Sequence, residues 1–169
     1  YEPFCKMWNI PVSNDAESKN ETPSEKLINN PLYSSMQDVE LVLRFFAYRQ
    51  IDKWENPSLT LFLDEFLKKG NDFDDVLLDE YRRIFKETID LLYTIFEEKA
   101  FWLHRKRQGT WIYFERPTKV LYDPLMYVMS GLIGHKQSLE SKKQAIIDEI
   151  PNLHTRNEDT LGGRNTNRN

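Results

Sequence analysis

Glu40 and Arg44 stand four residues apart inside "VELVLRFFAYRQ", Val39 to Gln50, a stretch that is apolar on almost every side. An acid and a base at that spacing share one helix face, where they form either a chemical site or a structural ion pair. A second cluster lies at "HRKRQ", His104 to Gln108. Phe101, Trp102, Trp111 and Tyr113 flank it, and Arg116 and Lys119 follow. Cations interleaved with aromatics can hold phosphates and stack on bases, and a solvated loop between helices has the same composition. The candidate nucleic-acid-binding residues are therefore His104, Arg105, Lys106, Arg107, Trp111, Arg116 and Lys119.

The remaining chemistry is thin. His104, His135 and His154 lack HxxxH or HxxE spacing, form no metal set with Cys5, and each reads as a surface side chain. The acidic run "NDFDDVLLDE" lacks the central glycine and closing glutamate of a calcium loop, and an acidic helix start explains it better. There is no phosphate-cradling glycine loop, no G-x-S-x-G elbow and no His-Asn-His pattern. No catalytic residue, metal or cofactor is assigned on these residues.

The elements that must position these side chains are mostly helical. At about 100° per residue, the apolar positions of 39–48 cover most of a helix circumference and leave one polar stripe, Gln37, Glu40 and Arg44. Such a helix belongs at the centre of a bundle, with Glu40 and Arg44 as a structural polar seam. It starts after Ser34 or Ser35 as cap and ends near Gln50. Ser58 caps a second helix, Leu59 to Lys69, which Gly70 stops. A third runs from Phe73 or Asp74 to Ala100 with one apolar stripe. Residues 108–114 hold strand formers, so one short extended segment is expected near 110–114, without a visible partner strand. A fourth helix spans Thr118 to Gly134, and Asp123-Pro124 either starts it or kinks it. Ser138 caps a fifth, ending near Ile150 before Pro151. The expected fold is all-α, a bundle of about five helices, with sequential antiparallel packing.

Residues 1–30 read as an aromatic segment plus a flexible polar loop, 31–151 as the helical domain and 152–169 as a flexible tail. The chain of 169 residues fits one domain, and its net charge of −4 does not point to wholesale binding of nucleic acid or membrane. One cysteine and the lack of a signal-peptide pattern or long apolar run point to the cytoplasm and away from a membrane. A start at Tyr1 and an end in "GGRNTNRN" read as a piece of a longer protein.

"SMQDVELVLRFFAYRQ" followed by "SLTLFLDEFLKKG" resembles a bacterial family, the domain-of-unknown-function two-six-two or GmrSD N-terminal type. That family commonly shows R-M-x-D-x-E-L-V-L-R-F-x-A, a loop, and a helix with F-L-N-E or F-L-D-E. Met36, Asp38, Glu40, Leu41, Val42, Leu43, Arg44, Phe45 and Ala47 match position by position, while Ser35 stands where arginine is usual. "YRRIFKETIDLLYTIFEEKAF" and "RPTKVLYDPLMYVMSGL" extend the similarity to about residues 1–135, and "GGRN" joins it. The resemblance implies a parent protein whose ParB/sulfiredoxin-like N-terminal half carries D-G-Q-Q-R. That half is linked to nucleotide hydrolysis and to restriction of modified foreign DNA, as in phage defence. No D-G-Q-Q-R occurs here, so the chain resembles the helical C-terminal portion. The implied role is a non-catalytic packing or interaction module for the ParB-like domain, with a homodimer or DNA as further partners.

Overall fold

The computed structural model describes residues 1–12, 23–53 and 58–161. The chain is mostly helical, as expected, but with more and shorter pieces, and with a β-hairpin in place of one isolated strand. It begins with α1 (Glu2–Met7), α2 (Glu25–Ile28) and α3 (Pro31–Ser34). Part of the segment read as a flexible loop is thus helical, because Ser24 Oγ accepts from the Leu27 amide and Asn30 Oδ1 from the Leu32 amide. The rest of that segment, 13–22, lies outside the described residues, as do 54–57 and 162–169.

Next comes α4 (Gln37–Tyr48). Neither serine caps it. The Ser35 hydroxyl donates back to the Pro31 carbonyl (2.5 Å), and Met36 takes a left-handed conformation (φ 55°) that separates α3 from α4. The next helix, α5 (Leu59–Gly70), has the expected cap, Ser58 Oγ accepting from the Leu61 amide. In α6 (Asp75–Phe96), Asp74 accepts from the Leu77 amide at 2.8 Å, so the acidic run is a helix start as read. The helix breaks into a 3₁₀ turn at Glu97–Lys99, where Glu97 has φ 56°.

The basic segment forms β1 (Trp102–Arg107), paired antiparallel with β2 (Thr110–Pro117). Gln108 (φ 50°) and Gly109 (φ 86°) make the two-residue turn. Positive φ at both central positions matches the twist of a hairpin, which explains why the strand formers after Gly109 have a partner after all. The register places His104 opposite Tyr113, Arg105 opposite Ile112 and Lys106 opposite Trp111, and it shifts between Trp102 and Leu103.

The helix α7 (Lys119–Gly131) contains Pro124 within it, so Asp123 is neither its start nor its cap. Two further departures follow. Ser138 lies inside a short helix, α8 (Lys136–Ser141), and α9 (Lys143–Arg156) continues through Pro151. Proline forfeits the bond to the carbonyl four residues back. α9 also docks on β1 through His154, three residues beyond that proline. A last turn, α10 (Glu158–Leu161), follows.

The main core gathers Phe4, Met7 and Trp8 of the aromatic N-terminal segment, Leu41 and Phe45 of α4, the stripe Phe85–Ile89–Leu92–Ile95 of α6, Phe101, and Tyr122 and Met126 of α7. Phe62, Leu63 and Phe66 of α5 meet Ala47 in a smaller cluster. The two helices that carry the polar seam are not sequential neighbours, and they are parallel. Contacts Glu40–Lys119 and Arg44–Asp123 share a separation of 79 residues, and Leu41–Tyr122 and Arg49–Ser130 one of 81. A difference that stays within two residues along both helices requires that α4 and α7 run in the same direction.

Candidate functional site

Glu40 and Arg44 lie on α4 as the spacing requires, and Arg44 Nη1 reaches Glu40 Oε1 at 3.3 Å. The stronger partner comes from α7. Arg44 Nε donates to Asp123 Oδ1 at 3.0 Å, and Nη2 donates to Oδ2, a two-pronged contact. Lys119 Nζ, one turn earlier on α7, donates to Glu40 Oε1 at 3.0 Å. Acid and base thus alternate across the two parallel helices. The buried Tyr122 hydroxyl adds a bond to the Leu41 carbonyl at 2.9 Å. Burial raises the pKa of the Asp123 carboxyl against the pull of Arg44. Burial also works against the Arg44 charge, but Asp123, Tyr48 and Glu40 together outweigh it and the guanidinium pKa is raised. Every charge here has a protein partner, and Arg44 is only 8% exposed. The arrangement can neutralise and align two helices.

The hairpin is different. Lys119, one of the seven candidate nucleic-acid residues, belongs to the seam just described and not to the hairpin. The others divide between two faces, because side chains alternate along a strand. His104, Lys106 and Trp111 share one face with Tyr113. There the His104 ring stacks on Trp111 (centroids 5.3 Å, 19° between planes). Arg105 and Arg107 share the opposite face with Ile112 and Phe114. The Arg105 guanidinium lies 4.1 Å from the Phe114 ring centroid and that of Arg116 4.2 Å. None of Arg105, Lys106, Arg107 and Arg116 forms an ion pair among the described residues.

The third feature was not visible in the sequence. His154, read as a surface residue, is 3% exposed. Its Nδ1 accepts from the His104 backbone amide at 2.9 Å and pins α9 to β1. That bond requires an unprotonated Nδ1, so the ring proton sits on Nε2. Burial lowers the His154 pKa, and the neighbouring His104 acts in the same direction. Beside this contact lies a cleft of about 670 Å³ between the end of α6, α7, α9, α10 and the hairpin. His135, by contrast, is exposed, as expected. Among the described residues, no group of three or more His, Cys, Asp or Glu side chains is placed to hold a metal ion. No helix among them is long and apolar enough to cross a membrane.

Asp123, Phe114 and His154 escaped the sequence reading. Asp123 had one available signal, since Lys119–Asp123 repeats the Glu40–Arg44 spacing with the charges reversed. His154 had none.

No family model matches this chain, and no curated protein or solved structure matches it at a significant level.

Proposed function

We propose that this chain is a helical module without chemistry of its own, part of a restriction or defence protein of the GmrSD N-terminal kind, which contacts nucleic acid through the outer face of its hairpin. The observation that supports the contact is the set of cations on that face, Arg105, Arg107 and Arg116, none held by a carboxylate among the described residues. Phe114 holds two guanidiniums in place, which lowers the side-chain entropy lost on binding. Arginines presented without an accompanying free aromatic face favour phosphates over bases, so the contact is with the backbone and has little sequence preference.

Fluorescence anisotropy with a labelled duplex at 50 and 200 mM salt tests this. Three phosphate contacts give a slope of log affinity against log salt of about −2.7. Arg105→Ala, Arg107→Ala and Arg116→Ala together abolish binding, while Lys106→Ala on the opposite face has a smaller effect. Absence of binding at 50 mM salt, or undiminished binding by the folded triple variant, overturns the reading.

A second reading, packing against the ParB-like domain, is favoured by exposed apolar side chains on α5 and the start of α6. Leu61, Leu67 and Leu78 are 41–55% exposed and Val76 is 79% exposed. In that case Leu67→Lys with Val76→Lys abolishes co-elution with a ParB-like domain and leaves the melting temperature unchanged.

A further inference from the structure

We infer that the cleft between α7, α9 and the hairpin binds an elongated aliphatic carboxylate. A volume of about 670 Å³ falls in the range of small-molecule sites, roughly 300–1,000 Å³. Its walls are largely aliphatic, with Leu121 and Leu125 from α7, Ile147 and Ile150 from α9, and Ile95 from α6. Methylene-lined walls suit a flexible hydrocarbon body, which gains by leaving water in proportion to its length.

Two donors supply the polar end. His154 lines the cleft while being almost wholly buried. Its Nδ1 is taken by the His104 amide, so Nε2 carries the proton, and no described residue accepts from it. Nε2 keeps some access to solvent at the cleft wall, and a ligand acceptor there takes the place of water. Lys99 also lines the cleft, is exposed, and among the described residues engages only the Trp102 ring, at 5.7 Å. A carboxylate satisfies both the imidazole N–H and the ammonium. Two carboxylates share the lining. Glu97 is neutralised by Lys143 at 3.1 Å, and Glu115 has no ion pair among the described residues. Glu115 therefore weakens the binding of an anion and sets the sense of one control.

Titration calorimetry of the full chain with dodecanoate, dodecanol and dodecylamine tests the assignment. Dodecanoate binds saturably with one-to-one stoichiometry, and more tightly than the amine. Val128→Trp and, separately, Leu153→Trp fill the cleft from half-exposed positions and lower affinity by at least roughly tenfold. Lys99→Gln weakens dodecanoate roughly tenfold and leaves dodecanol unchanged, whereas Glu115→Gln strengthens dodecanoate. Circular dichroism establishes that the variants are folded. The inference is overturned by the absence of saturable dodecanoate binding, by tighter binding of the amine, or by unchanged affinity in both folded tryptophan variants. The arginine variants of the hairpin's outer face leave this binding intact, so its failure is separable from that of the nucleic-acid reading.

Discussion

The seam between α4 and α7 and the outer face of the hairpin are both built around arginine, and they use it oppositely. In the seam, Arg44 is buried and shared between Asp123 and Glu40. On the hairpin, Arg105 and Arg116 rest on an aromatic ring, and Arg107 projects from the strand end. A guanidinium whose donors are already used inside the fold is a fastening. One whose donors are spare is left open to a partner outside it. The number of basic residues in a segment therefore says little until their partners are known.

The largest expected effect that sharpens this contrast is on stability. Arg44→Ala leaves Asp123 charged and buried without its partner, a loss of about 3–5 kcal/mol in urea unfolding. Arg107→Ala stays within about 0.5 kcal/mol. The contrast collapses if the two variants unfold at the same urea concentration. Replacing Arg44 and Asp123 together by Met and Leu is milder than Arg44→Ala alone, because no unpaired charge remains.

Acid comes next. A histidine whose folded pKa lies below its unfolded value of 6.5 contributes stability that is full above pH 6.5. That contribution is lost as pH falls from there through the lowered folded value. Each unit of depression is worth about 1.4 kcal/mol. Urea midpoints at pH 7.5 and 5.5 accordingly diverge in the native chain and converge in His154→Gln. An equal acid loss in both would assign the effect to other groups. The smallest effect expected within the seam is that of Tyr122→Phe, which removes the bond to the Leu41 carbonyl at a cost of about 1 kcal/mol. A neutral result there would mean that the ion pairs, the Arg49–Ser130 bond and the apolar packing fix how α4 lies on α7 without the Tyr122 hydroxyl.

Helices α5 and α6 could be read from the sequence because capping and apolar spacing are local. Ser58 and Asp74 act where they stand. The partner of Arg44 was missed, since Asp123 is 79 residues away and the Asp-Pro pair imitates a helix start, which masks the Lys119–Asp123 spacing. Strand β1 was hidden by its charge, for "HRKR" has the composition of a solvated loop until its register with "TWIYF" is known. The helix around Pro124 was read with nearly its observed span, whereas the one around Pro151 was ended too early. Proline removes a single backbone bond, and tertiary contacts made elsewhere outweigh it.

A two-stranded ribbon on its own is marginal in water. Here an imidazole from 50 residues further along the chain takes the place that a third strand's carbonyl would occupy against the His104 amide. The ribbon is therefore tied at His104 to α9, and the expected mark of that tie is slow exchange of the His104 amide proton with solvent, made fast by His154→Ala.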